Sequence, residues 1–141
     1  MTVSSAVRRC ALSRAAAADL ARRVLRAEGV RHAVVSIAFV GRRRIRTLNR
    51  TYLGPDRETD VIAFALPGAG GMVAGDIYCA PESAARAARC YGVAVREELR
   101  RLVVHGVLHV LGQDHPEGDG RTRSAMWRRQ EALLRRLGGV R

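Results

Sequence analysis

The sequence predicts an α+β protein in which helices cover a small mixed β-sheet. Hydrophobic residues make up 48% of the 141 residues. That is enough to form one core in a chain of this length, and we expect a single domain over residues 1–141. Short β-branched runs are interspersed with longer segments whose apolar residues recur at helical spacing. Because these segments do not follow a strict strand–helix–strand order, the α+β class is favoured.

The beginning of the chain predicts one helix between two strands. An edge strand is expected at Val3–Val7. A helix is expected at Ala15–Ala27, because Ser13 is a favourable N-terminal cap and Gly29 a favourable end. The β-branched run Val34–Val40 predicts a buried strand.

The middle of the chain predicts a second helix followed by a hairpin. Arg42–Leu53 has apolar residues at helical spacing and ends at the Gly54–Asp56 break. Asp60–Leu66 and Val73–Ala80 predict two strands, because both are rich in apolar and β-branched residues. The glycine-rich segment Pro67–Gly71 between them predicts the hairpin turn.

The chain from Pro81 onward predicts three helices. Pro81 is favourable at the first position of a helix, which is expected to run to Tyr91 and to end at Gly92. A long apolar helix is expected at Glu97–Leu111, and an amphipathic one at Arg121–Leu137.

The chain is strongly basic, with a formal net charge of +12. All 25 basic residues are arginine, and the absence of lysine excludes Schiff-base or lysine-nucleophile chemistry. Codon bias in a GC-rich genome explains the choice of arginine over lysine, but it does not explain the excess of positive charge. A nucleic-acid partner is therefore favoured over a solvated, codon-driven charge.

Targeting and cysteine patterns indicate a cytoplasmic protein without a membrane partner. No apolar run approaches the roughly 20 residues of a membrane span, and the polar N-terminal segment does not resemble a secretory signal. Cys10, Cys79 and Cys90 form no C-x-x-C pair, so we expect reduced thiols that serve in packing. His32 is expected to be a hydrogen-bonded core histidine rather than a ligand.

Three of the four histidines, His105, His109 and His115, form a predicted metal site. His105 and His109 are four residues apart, so on a helix their imidazoles share one face and reach one ion. Gly112 is suited to end that helix, after which His115 returns to the same point. Three nitrogen ligands leave a fourth position for water, as in catalytic zinc sites. We therefore expect one divalent transition metal, with zinc favoured over nickel or copper.

The ligand spacing H-x3-H-x2-G-x2-H also occurs in the metzincin metallopeptidases. Those enzymes carry a glutamate directly after the first histidine as general base, and here that position is Gly106. The sequence therefore retains the metal ligands but lacks the proton acceptor of a peptidase. Metal-dependent hydrolysis is expected, and a metallopeptidase is kept as an alternative.

The segment from His105 to His115 closely resembles the signature of the YbeY family of bacterial metallo-endoribonucleases. The resemblance runs from about residue 34 to the end of the chain. Further matching residues are Leu48-Asn49 with Tyr52, Thr59–Ile62 with Phe64, Gly75–Ile77, Met126 and Glu131.

This resemblance implies a zincin-like metal site, with His105, His109 and His115 as ligands on the long helix and the following turn. It implies a zinc-dependent endoribonuclease specific for single strands. The implied role is maturation of the 3′ end of small-subunit ribosomal RNA and ribosome quality control, with ribosomal RNA and ribosomal particles as partners. A non-catalytic ribosome-assembly factor with a structural metal is the second alternative, and the oligomeric state is left open.

One position departs from the family pattern. Members commonly have an arginine with an implied catalytic role after the tyrosine of the first segment, and this chain has Leu53 there. Arg57 in the same loop is the candidate replacement, and Arg50 is a second candidate one turn earlier.

Several acidic residues are expected to have structural roles. Asp60 and Asp76 lie at predicted strand positions and are expected to accept hydrogen bonds. Glu97 and Glu98 are expected in the first turn of the histidine helix, where the helix dipole favours negative charge. Asp114 is expected either to orient a ligand histidine or to serve in the turn itself.

Overall fold

The computed structural model describes residues 1–7, 10–52, 59–68, 70, 72–112 and 125–138. Within these ranges the chain forms four strands and five helices, in agreement with the α+β expectation. In chain order the elements are β1 (Thr2–Ser5), α1 (Arg14–Ala27), β2 (Ala33–Phe39), α2 (Arg42–Tyr52), β3 (Val61–Leu66), β4 (Val73–Cys79), α3 (Pro81–Tyr91), α4 (Val95–Val110) and α5 (Ala125–Gly138).

The four strands form one mixed sheet in the order β1-β2-β4-β3. β1, β2 and β4 run parallel, and β3 pairs antiparallel with β4. The hairpin register places Val61 opposite Cys79 and Leu66 opposite Ala74. Both the mixed sheet and the β3–β4 hairpin are confirmed.

The ends of the first and third helices follow the predicted signals. The Ser13 side chain accepts a hydrogen bond from the backbone amide of Ala16 at 3.1 Å, so it caps α1. Gly29 and Gly92 have φ values of 78° and 68°, the left-handed conformation that glycine adopts readily after a helix.

Other boundaries differ from the prediction by a few residues. β1 covers Thr2–Ser5 rather than Val3–Val7, because its partner strand ends at Phe39, opposite Ser5. Helix α4 begins at Val95, two residues before the predicted start at Glu97. The side chain of its N-cap residue makes no hydrogen bond, so no capping residue marks this start in the sequence. Residues 121–124 of the last predicted helix lie outside the described residues.

The two faces of the sheet pack against different helices. Alternate strand residues such as Ile37, Phe39 and Ile77 form the main core with α1 and α4. On the opposite face, Ile45 and Leu48 of α2 belong to a smaller apolar cluster with residues of β3 and β4. Helix α4 thus lies on one side of the sheet and the arginine-rich α2 on the other.

Two expectations about single residues were wrong. His32 is exposed in the segment before β2, so it is not a core histidine. Cys90 is also exposed, because it lies on the outward face of α3; Cys79 is buried and Cys10 half-buried, and all three are free thiols. Among the described helices, none combines the length and the apolar character that a membrane span requires.

Candidate metal centre

Helix α4 brings His105 and His109 together, as the sequence predicts. The two residues are one helical turn apart, and their ring centroids lie 4.6 Å from each other at an interplanar angle of 65°. Both side chains are half-buried. His115, the third predicted ligand, lies outside the described residues.

Two glycines let α4 approach the sheet closely. A Cβ atom at Gly106 would lie 2.6 Å from Cγ2 of Ile77 on β4. A Cβ atom at Gly75 would lie 2.6 Å from the Val110 side chain and 2.7 Å from the Phe64 carbonyl oxygen. Position 106 therefore points into the helix–sheet interface, and the absence of a glutamate there has a steric explanation.

A Gly106→Ala substitution is expected to destabilise the fold, although alanine normally stabilises a helix over glycine by about 1 kcal/mol. The added methyl group overpacks the interface, which typically costs about 1–3 kcal/mol. The free energy of unfolding in urea measures the net effect.

The matched test repeats Gly106→Ala in an Ile77→Ala background. There the obstructing atoms are gone, so the same substitution is expected to stabilise the protein relative to Ile77→Ala alone. If Gly106→Ala stabilises both backgrounds equally, the close approach of α4 to β4 is not as described.

A buried residue of α5, Gln130, contacts the first histidine. Its Oε1 lies 2.7 Å from Nδ1 of His105, and its side chain is only 1% exposed. No sequence motif singles out this residue. The available signal was its spacing, because it occupies the same face as the buried residues Met126, Leu133 and Leu134.

On the side away from the histidines, Gln130 adjoins a network of charged residues. Arg101 makes two hydrogen bonds to the Glu131 carboxylate, at 2.9 and 3.2 Å, and one to Glu98 at 3.0 Å. Burial opposes the ionisation of Glu131, but hydrogen bonds from Arg101 and Gln130 lower its pKa overall. Burial raises the pKa of Glu98, although Arg101 partly offsets this. The guanidinium therefore compensates two carboxylates at once.

The donor chemistry of the histidine pair fits a divalent transition metal. Neutral imidazole nitrogens suit zinc and its neighbours, and ligating histidines usually hydrogen-bond through their second ring nitrogen. His105 has such a partner in Gln130. Among the described residues, no group of three or more His, Cys, Asp or Glu side chains is arranged to hold a metal. The three-ligand site therefore stays a prediction.

Some of the remaining candidate residues lie in the described part of the chain, and others lie outside it. Asp76 accepts a hydrogen bond from the Ser36 hydroxyl at 2.5 Å between neighbouring strands, as expected for a structural carboxylate. Asp60 directly precedes β3. Arg57, Leu53 and Asp114 lie outside the described residues.

Comparisons with known proteins show which family this chain is similar to. The family model of Endoribonuclease YbeY matches residues 4–138. The chain is 43% identical over 125 residues to an Endoribonuclease YbeY from Pelotomaculum thermopropionicum, covering 83% of this chain and 81% of that protein. It is 44% identical over 119 residues to another from Anaeromyxobacter sp., covering 82% of this chain and 60% of that protein. The solution structure of TM1509 from Thermotoga maritima superposes with a TM-score of 0.65 at 25% identity, covering 99% of this chain and 90% of that one.

Proposed function

Because this chain belongs to the Endoribonuclease YbeY family, we propose that it is a metal-dependent endoribonuclease that cleaves single-stranded RNA. One divalent transition metal, with zinc favoured, is held by His105, His109 and His115. The observation that carries the proposal is the pairing of two imidazoles on one face of α4, in a chain whose family match covers residues 4–138. The whole of residues 1–141 acts as one catalytic domain.

His105, His109 and His115 would hold the metal, which would supply Lewis-acid polarisation of a phosphoryl oxygen and activation of water near neutral pH. The protein's own part is to hold the ligands. Helix α4 fixes the separation of His105 and His109, and the close packing of Gly106 on β4 fixes where the helix lies. The contact with Gln130 restrains the ring of His105.

The biological role that we propose is maturation of the 3′ end of small-subunit ribosomal RNA and ribosome quality control. Support comes from the family resemblance, together with a net charge of +12 that suits a polyanionic partner. Ribosomal RNA and ribosomal particles are the proposed partners, and the cytoplasm is the proposed place of action.

The most direct comparison of substrates uses one purified protein. We expect labelled single-stranded RNA to be cleaved faster than the matching duplex, and a denatured protein substrate to stay intact. Proteolysis with intact RNA supports the metallopeptidase alternative instead. Cleavage of neither substrate, with ribosomal particles still bound by a His105→Ala/His109→Ala protein, supports the non-catalytic assembly factor.

Helix α2 is the proposed contact for the RNA backbone. All five of its arginines are exposed and it has no acidic residue; they are Arg42, Arg43, Arg44, Arg46 and Arg50. Arginine binds phosphate through two parallel hydrogen bonds, and each neutralised phosphate releases counterions.

RNA affinity is therefore expected to fall linearly with salt on logarithmic axes, with a slope of about −0.7 per phosphate for single strands. In an Arg43→Gln/Arg44→Gln protein, that slope is expected to be less steep by about 1.4, which corresponds to two phosphate contacts. The matched control, Arg22→Gln/Arg26→Gln, removes equal charge from α1, which packs on the opposite face of the sheet. Fluorescence anisotropy at several salt concentrations measures both. Equal slope changes in the two variants argue against α2 as the contact.

We also propose that Arg57 supplies the cation that Leu53 does not. An Arg57→Ala protein is expected to lose about 100- to 1000-fold in cleavage rate, the usual effect of removing a donor to a charged transition state. Single-turnover kinetics on one RNA substrate measure this. A wild-type rate for Arg57→Ala, together with faster cleavage by Leu53→Arg, contradicts the substitution of one arginine for the other.

A further inference from the structure

A buried amide on α5 contacts one of the two described histidines of α4. Gln130 is 1% exposed, although glutamine is mostly found at protein surfaces. Its Oε1 lies 2.7 Å from Nδ1 of His105. Burying a carboxamide costs free energy unless its polar atoms are hydrogen-bonded, so the contact with the imidazole offsets part of that cost.

The other end of the amide determines which way it points. Nε2 of Gln130 lies 3.0 Å from Oε2 of Glu131, and that carboxylate pairs with Arg101 at 2.9 Å. An ionised carboxylate accepts hydrogen bonds and donates none, so the NH2 group of the amide must face Glu131. The carbonyl oxygen of Gln130 then faces His105.

This orientation decides the tautomer of His105. The carbonyl oxygen of Gln130 only accepts hydrogen bonds, so Nδ1 of His105 must carry the proton. In a neutral imidazole with a proton on Nδ1, the lone pair that can bind a metal lies on Nε2. The hydrogen bond therefore selects the ligating nitrogen.

We propose that Gln130 is a positioning residue, which holds His105 in the Nδ1-protonated tautomer and so presents Nε2 to the metal ion. The inference rests on the proposed metal site and extends it to a residue of another helix. Outer partners of ligating histidines typically contribute about 10- to 100-fold in metal affinity. Glu131 and Arg101 act one step further out, because they keep the amide in its orientation.

Three variants separate this role from simple packing. Gln130→Met keeps the length and burial of the side chain but removes the acceptor. Gln130→Glu keeps an oxygen that accepts from Nδ1, but it removes the NH2 donor that faces Glu131. Met126→Leu changes another buried residue of α5, 2% exposed and one turn earlier, without touching a polar contact. Circular dichroism and thermal unfolding establish that each variant is folded.

The first measurement is the tautomer of His105 in metal-free protein, read from the ring nitrogen shifts in long-range proton–nitrogen NMR spectra at a pH where the imidazole is neutral. The wild type, Gln130→Glu and Met126→Leu are expected to carry the proton on Nδ1, and Gln130→Met is expected to shift it toward Nε2. A wild-type proton on Nε2 overturns the proposal, and this result does not depend on any variant folding.

The second measurement is the affinity for zinc, titrated into the metal-free proteins against a chelator of known affinity. Gln130→Met is expected to bind about 10- to 100-fold more weakly than the wild type, and Met126→Leu is expected to bind like it. Gln130→Glu is expected to lose less affinity than Gln130→Met, because it keeps the acceptor for Nδ1 of His105. Equal affinity of the wild type and Gln130→Met overturns the positioning role alone. A wild type that binds no zinc while its proton stays on Nδ1 overturns the metal site itself, and the ligating role of His105 with it.

Discussion

A His109→Ala protein is expected to lose both its metal and its cleavage of single-stranded RNA. Removing an outer partner of a ligand typically costs about 10- to 100-fold in metal affinity, and removing a ligand itself is expected to cost more than ~100-fold. Helix α4 should survive, because alanine is the strongest helix former. Elemental analysis of the purified protein and the cleavage rate on labelled RNA measure the two losses.

His32→Ala is the matched control, because His32 is an exposed histidine outside the site. It is expected to retain about one metal per chain and the wild-type cleavage rate. A His109→Ala protein with a full metal content contradicts the ligand assignment, and one that has lost the metal but cleaves normally contradicts the role of the metal in the reaction.

An Arg101→Met protein is expected to be less stable by about 3 kcal/mol, the lower end of the range for breaking a buried ion pair. Arg101 pairs with Glu131 and Glu98, and the three side chains are only 22%, 21% and 8% exposed. Methionine leaves two partly desolvated carboxylates close to each other without the guanidinium that pairs with both. Unfolding in urea at neutral pH measures the loss.

The pH dependence of this loss separates charge from packing. In the wild type the net lowering of the Glu131 pKa stabilises the fold above the ordinary value of 4.5, and this stabilisation is lost as the pH falls. In Arg101→Met, the pKa of both carboxylates is expected to rise relative to the wild type, because the guanidinium that lowered them is gone; protonation at lower pH then relieves the cost of the unpaired charges. The deficit is therefore expected to shrink between pH 7 and pH 4.5.

Arg23→Met provides the comparison on the surface. Arg23 pairs with Asp19 at 3.1 Å, four residues away on α1, where the carboxylate is 60% exposed. Exposed pairs of this kind contribute less than about 1 kcal/mol, so we expect a small change with little dependence on pH. A deficit of Arg101→Met that is equally small at neutral pH contradicts the buried network.

Local patterns predicted the elements of this fold well, because caps and periodicity act over a few residues. Ser13, Gly29 and Gly92 mark helix ends that the structure confirms. Such local patterns do not predict the order of the strands. The position of β4 between β2 and β3 depends on pairing between residues that are tens of positions apart, and the sequence of a strand does not by itself identify the neighbouring strand.

In the candidate site, too, local features could be predicted from the sequence and long-range contacts could not. The spacing of His105 and His109 is local, and the structure confirms their juxtaposition. The contact with Gln130 joins two helices whose residues are 25 positions apart, so local patterns do not predict it. The one sequence signal for it is a polar residue on an otherwise apolar helix face. The burial of His32 was predicted wrongly for a related reason. A single histidine is not part of a periodic pattern from which its burial could be predicted.

The most direct test of the proposed function is RNA cleavage by one protein before and after removal of its metal. Wild-type protein is treated with a chelator, dialysed, and incubated with labelled single-stranded RNA, with and without one equivalent of zinc. We expect cleavage to disappear on chelation and to return with zinc, and zinc to restore nothing in metal-free His109→Ala. Metal-free wild-type protein that cleaves the RNA at its original rate contradicts a metal-dependent endoribonuclease.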